Sequence, residues 1–222
     1  MRIFSIQTHQ QIIETDVLPS ALPEHGFLWM AFARREFEIH LPQVQAALKQ
    51  LCHAEIDFLH AQDVLNNQLP SHYDYTSQYD LMVFRRLAAG QRPTDPNHPG
   101  EPLHVAPATG GPPILRRIDT SPVGFAVFDR VLLSVHPADC AVREAYAARL
   151  QASTQAHIQA HDMADPRSTG ARGVPHSPAD MMLRIVSHMV DGYLDLRREL
   201  SRQLDHWQAE LLHPRTRFNR WD

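Results

Sequence analysis

"SPADMMLRIVSHMVDGYLDLRRELSRQLDHWQAELL", Ser177 to Leu212, is the stretch whose reading decides the architecture. Ser177 precedes Pro178, whose fixed φ suits a first helical position, and Asp180 follows three residues on, so the run opens with a capping arrangement. Met182, Val186, Met189, Tyr193, Leu196, Leu200, Leu204, Trp207 and Leu211 then recur at steps of three and four, and Pro214 closes the run. Such a helix is ~50 Å long. A compact domain of this size has a radius of gyration of only ~17 Å, so the helix should overhang it. Its apolar stripe then needs another helix of the same chain, another protomer, or sequence beyond residue 222. The polar aromatic ending at Trp221-Asp222 carries no closing signal and fits a chain that continues.

Upstream, strands and helices interleave. "RIFSI" and "GFLWMAF" read as strands, the second apolar enough to be central and preceded by the turn-formers Pro23 and Gly26. "LPQVQAALKQLC", Leu41 to Cys52, recovers helical spacing through Val44, Ala47, Leu48 and Leu51. "YDLMVFRRL", Tyr79 to Leu87, is a further strand. "PVGFAVFDRVLLSVH" reads as two strands folded at Asp129-Arg130, although Asp-Arg is not a favoured hairpin pair. "PADCAVREAYAARLQASTQAHIQAH" follows as a helix, with Val142, Tyr146, Ala147 and Leu150 on one face. Residues 90–113 hold seven of the seventeen prolines and read as a long loop; Asp165 to Pro178 is a second break. The fold class expected is α/β: a mixed β-sheet covered by helices, with residues 1–176 as one domain and 177–213 as its long C-terminal amphipathic helix.

Bulk composition narrows the function. The 222 residues are 43% hydrophobic and 21% charged, with a net charge of -4. Phosphate binding needs concentrated positive charge, so a nucleic-acid partner is not expected. Cys52 and Cys140 form no CxxC pair and fit free thiols in a reducing compartment. No secretory leader opens the chain, and "GFLWMAFA" is far shorter than the ~20 residues a membrane helix needs. The chain as given reads as soluble.

Candidate chemistry is sparse. Among fifteen histidines, His157 and His161 in "HIQAH" share one helical face, with Asp162 and Asp165 close in sequence. Zinc sites ordinarily converge three or four ligands and no HExxH glutamate lies between them, so a solvated, histidine-rich helix end explains the same pattern. No GxSxG elbow or GxGxxG loop is present, and Gly110-Gly111-Pro112 precedes a strand instead of a helix. Asp74 with Asp80 and Asp191 with Asp195 are carboxylate pairs of the spacing common on solvated faces. No catalytic residue is assigned. Asp63 remains, just before the turn-like Asn66-Asn67 pair: a cap, a catalytic acid or a metal ligand.

Taken in order, "LWMAF", "QDVLN", a strand ending "YDLMVF", "FAVFDRVLLSVH" and the long run containing "VDGY" resemble the cytoplasmic domain of CorA-type divalent-cation channels and transporters, including the ZntB branch. The family's Gly-Met-Asn signature is absent from these residues. The resemblance implies an α/β/α sandwich whose long helix leans on the stalk of a homopentamer, at the cytoplasmic face of the inner membrane. The stalk and two membrane helices would follow beyond this chain.

The resemblance also implies a role for Asp63: binding a regulatory magnesium, or another divalent cation such as zinc or cobalt, between subunits. Its partner would be an acid on a neighbouring stalk. A cation neutralises opposed carboxylates, and its loss lets the subunits part and the pore open. Two departures stand out: Gln62 occupies the place of a family Glu, and a companion acid on the long helix aligns with Ser187, beside His188. The implied function is sensing and gating without catalysis or a catalytic cofactor. A cytosolic metal- or small-molecule-binding protein or enzyme using His157 and His161 is the alternative. A protein dimerising through Ser177 to Leu212 is a third possibility.

Overall fold

The computed structural model describes residues 1–7, 12–87, 94–95, 98–102, 120–138, 141–159 and 174–212. Its strands are β1 (Arg2–Ile6), β2 (Ile13–Thr15), β3 (Phe27–Ala33), β4 (His72–Tyr75), β5 (Asp80–Leu87), β6 (Thr94–Asp95), β7 (His98–Pro102), β8 (Thr120–Val127) and β9 (Val131–His136). Its helices are α1 (Arg34–Cys52), α2 (Phe58–Leu65), α3 (Ala141–Gln159) and α4 (Pro178–Leu212). Seven strands form one sheet in the order β2-β1-β3-β9-β8-β5-β4, and β6 and β7 pair separately. β3 and β9 run parallel while the other neighbours in the large sheet are antiparallel, so the sheet is mixed.

The period of two in the central strands assigns each side chain to one of two cores. Leu28, Met30 and Phe32 of β3 pack with Leu133 and Val135 of β9 against Phe37, Val44 and Leu48 of α1 and Ala61 and Val64 of α2. The alternate residues Phe27 and Trp29, with Phe4, Val123, Phe125 and Leu132, meet Tyr146 and Leu150 of α3 and Met181, Ile185 and Met189 of α4. The expected α/β/α sandwich is therefore what forms. Strands buried on both faces read as continuous apolar runs, which is why "FLWMAFA" was legible.

Several local details differ from the sequence reading. The helical spacing reads from Leu41, yet α1 begins at Arg34 and carries Pro42 within it. Its start is held by Glu36, whose carboxylate accepts the Ala33 N–H at 2.9 Å and pairs with the terminal amine of Met1 at 2.8 Å. α1 ends at His53, whose left-handed φ of 55° returns its N–H to Lys49 O. Asp129-Arg130 does close the β8–β9 hairpin, with Phe128 N–H donating to Val131 O at 2.9 Å. The Arg130 guanidinium anchors that turn, donating to Gly26 O at 3.1 Å and also to Pro23 O. β2, α2 and β4 are further elements, each too short to repeat its hydrophobic period often enough to stand out.

The long helix forms as read. Ser177 Oγ accepts from Asp180 N–H at 3.1 Å, and the Asp180 carboxylate accepts the His176 N–H at 3.0 Å while pairing with Arg184. Met181, Met182, Ile185 and Met189 are buried, and Tyr193 donates its hydroxyl to Arg85 O at 2.7 Å. Leu204, expected on the covered stripe, is 58% exposed, and Leu212 at the end is 75% exposed. The sheet ends before the helix does. No helix among the described residues is long and apolar enough to cross a membrane.

Candidate functional site

Asp63 lies in the last turn of α2, and this short helix is fixed at both ends by side chains. At its start the Asp57 carboxylate accepts the Leu59 N–H at 2.8 Å, so Asp57 is the N-cap. At its end Asn66 N–H donates to Asp63 O, and Asn66 Oδ1 accepts the Gln68 N–H at 2.9 Å. The capping roles open to Asp63 thus fall to Asp57 and Asn66. Ala61 and Val64 face the core, and a Cβ at Gly124 of β8 would lie 2.5 Å from Val64 Cγ1. Glycine at 124 is what lets α2 lie this close to the sheet.

The outer side of α2 faces the edge strand β4, and two histidine–carboxylate pairs bridge them. His60 Nε2 lies 3.2 Å from Asp74 Oδ2, and His72 Nε2 lies 3.9 Å from Asp63 Oδ2. His60 and Asp63 sit three apart on the helix, and His72 and Asp74 two apart on the strand, so each pair of donors shares a face. Behind His60 stands Tyr79, whose hydroxyl oxygen accepts the Asp57 N–H at 2.8 Å and contacts His60 Nδ1 at 2.8 Å. Burial pushes the Tyr79 hydroxyl up and outweighs the Asp57 N–H, so it keeps its proton as a donor. Asp74 only accepts, so His60 Nε2 carries the proton of that contact, with the Tyr79 hydroxyl against Nδ1 on the other side of the ring.

The His72 Nδ1 lies 3.2 Å from Pro70 O, and a carbonyl only accepts, so Nδ1 carries a proton while Nε2 faces the Asp63 carboxylate. Asp74 is held below the usual carboxylate range, first by the Tyr75 N–H and then by His60, with His72 contributing through space. Asp74 therefore feels both imidazoles.

The other residues singled out above fall elsewhere. His157 lies in α3. His161, Asp162, Asp165, Cys140 and the Gly110-Gly111 turn lie outside the described residues. Ser187 and His188 are exposed on α4, across the sheet from α2, so the fold does not bring them to Asp63 of the same chain. Asp195 pairs with Arg198 at 2.9 Å on a solvated face. Cys52 is half-buried, its thiol pushed up to about 11 by burial and by Asp129, as suits an inert thiol. No group of three or more metal-donor side chains converges among the described residues.

Two features lay beyond the sequence reading. An open cleft of about 610 Å³ runs between the end of α1 and the start of α2, lined by Lys49, His53, Glu55, Asp57 and Tyr79. Lys49, the sole lysine, is spent there on Glu55 at 2.7 Å. Beneath α3 and α4, Ser134 Oγ accepts the Trp29 indole N–H at 2.8 Å and lies 2.8 Å from His136 Nε2. Burial holds His136 well below the ordinary histidine range, and Arg143, Arg86 and Arg34 add to the effect. Neither cluster has a sequence motif; strand register assembles the second.

A magnesium ion fits this Asp63 poorly. Magnesium wants hard oxygen ligands and retains its waters, whereas the group facing Asp63 is an imidazole nitrogen.

No protein-family model matches the chain, and no curated protein matches it in sequence. Solved structures do match in fold. The full-length CmaX protein superposes at a TM-score of 0.60 with 15% identity, over 98% of this chain and 53% of that one. The soluble domain of CorA from Methanocaldococcus jannaschii gives 0.54 and 11%, over 96% of this chain and 64% of that one. The complete CorA magnesium transporter from the same organism gives 0.56 and 13%, over 98% of this chain and 53% of that one. The chain spans less than two thirds of each of these structures. The described residues carry the fold of the CorA soluble domain.

Proposed function

We propose that this chain is the cytoplasmic, non-catalytic sensing and gating domain of a CorA-type divalent-cation transport protein, assembled as a homopentamer on the inner membrane through segments that follow it. The observation that carries the reading is α4, a 35-residue helix of which the sheet covers only the first half. Along that second half Leu196, Leu200 and Trp207 are only partly covered and Leu204 is exposed, an incompletely buried stripe that a stalk beside it would cover. The likeness to CorA over nearly the whole chain supports the same reading.

In this reading Asp63 presents a carboxylate about one third exposed at the outer edge of the domain. A cation held there between subunits offsets the repulsion of acids across the interface, and its loss shifts the assembly toward an open state. The domain contributes differential affinity for the two states and no chemistry. The test is the native reading frame beyond codon 222. Two apolar spans, the first ending in Gly-Met-Asn, are expected; a stop codon soon after Asp222 overturns the proposal.

A further inference from the structure

We propose that a phosphate dianion, free or as the phosphoryl group of a nucleotide, binds at the end of the sheet where β3 and β9 finish, held by the guanidiniums of Arg34, Arg86 and Arg143 and by Ser121 Oγ. The inference does not depend on the transport reading and uses none of the residues around Asp63.

The topology supplies the place. β3 and β9 are parallel neighbours, yet β3 leads into α1 on one face of the sheet and β9 leads towards α3 on the other. Helices that diverge in this way leave a crevice beyond the carboxyl ends of the strands, where open α/β sheets bind their ligands. α1 and α3 each run 19 residues from that end, so the positive ends of two helix dipoles lie beside it. Ala33, at the start of α1, offers no side-chain cap.

Strand register brings the donors together. Met82 and Phe84 of β5, Val123 and Phe125 of β8 and Leu132 of β9 face the core under α3 and α4, so by the period of two Arg86, Ser121 and His136 face the same side. Arg86 sits opposite Ser121 in the β5–β8 ladder, and Arg34 Nη2 donates to the O of Pro122, next along β8, at 2.9 Å. Burial keeps the His136 ring neutral, and Arg143, Arg86 and Arg34 add to the effect, which places all three guanidiniums around one ring. The independent sign of a ligand is Ser121. It is 0% exposed, and its Oγ, like Arg143 Nη1, has no hydrogen-bond partner among the described residues. Buried polar atoms left unpaired are uncommon and costly, and one oxyanion satisfies both. Arg143 meets Glu144 at 2.8 Å and Glu36 at 3.9 Å, but these acids also serve Arg2 and the Met1 amine. A guanidinium carries five N–H donors in a fork that matches phosphate oxygens, so its bonds to backbone and carboxylate are compatible with an anion. Arg86, 3% exposed, forms the floor of the site, and the partly exposed Arg34 and Arg143 form the side open to solvent.

Calorimetric titration of the full 222-residue chain with inorganic phosphate tests this. One phosphate per chain is expected, retained at physiological chloride. Binding should weaken ~10-fold in Arg143→Gln and ~5-fold in Ser121→Ala, and stay unchanged in Arg149→Gln on the exposed face of α3. Ser121→Ala removes a hydroxyl that is unpaired without a ligand, so in the absence of phosphate it should melt no lower than the parent, which separates lost binding from lost folding. Titration with AMP identifies the source: AMP that competes with phosphate places a nucleotide's phosphoryl group in the site, and phosphate binding that AMP does not affect restricts the site to the free ion. No heat at millimolar phosphate, displacement by equimolar chloride, or unchanged affinity in folded Arg143→Gln overturns the inference. So does a Ser121→Ala chain that melts below the parent without phosphate, since the hydroxyl would then serve the fold.

Discussion

Gly124 and Val64 touch so closely that the position of α2 depends on the absence of one methyl group: a Cβ at Gly124 would lie 2.5 Å from Val64 Cγ1 and 2.7 Å from its Cβ. Gly124→Ala therefore forces α2 off β8, and overpacking of this kind costs about 1–3 kcal/mol. Val64→Ala in the same chain should return part of that loss. Urea unfolding of both single variants and the double variant measures the coupling, and strictly additive effects would show that the contact does not constrain the helix.

Acid should destabilise the fold through His136. The folded chain keeps this ring neutral, because burial, with Arg143, Arg86 and Arg34 around it, disfavours the charged form. The unfolded chain takes up a proton near pH ~6.5. Below that pH the unfolded state binds more protons, so stability falls as pH falls, by at most ~1.4 kcal/mol per pH unit, and this contribution is level above it. A His136→Gln variant should show a shallower decline between neutral and mildly acid pH than the parent in paired urea titrations.

The start of α4 should be sensitive to its cap. Ser177→Ala leaves the Asp180 N–H without the oxygen it now meets at 3.1 Å. A loss of about 0.5–2 kcal/mol is expected, with Ser177→Asp close to the parent. Thermal unfolding of the two variants side by side distinguishes a cap from a merely small residue at that position.

Along α4, backbone protection should fall off after Tyr193. Up to that residue the helix is fastened by Met181, Ile185, Met189 and the Tyr193–Arg85 hydrogen bond; beyond it Leu194, Leu204 and Leu212 are exposed. Amide exchange in the monomeric chain should be slow through the first half and faster towards Leu212. Equal protection at both ends in a monomer would remove the argument that the second half awaits a partner.

Sequence alone determined the layered α/β architecture, because strands buried on both faces announce themselves as unbroken apolar runs and a long helix as a sustained three-and-four repeat. "FLWMAFA", "VLLSVH" and Ser177 to Leu212 each carry enough residues for the pattern to exceed chance. It also marked Asp63, first by its place before the Asn66-Asn67 turn and then by family resemblance. Only the tertiary structure decided what Asp63 faces. α2 has eight residues and β4 four, about two periods each and too few repeats to stand out from chance, and the facing pairs His60–Asp74 and Asp63–His72 join two such elements. Their meeting depends on a missing side chain at Gly124 and on a tyrosine hydroxyl at the start of α2. Those are through-space conditions that no spacing along the chain expresses.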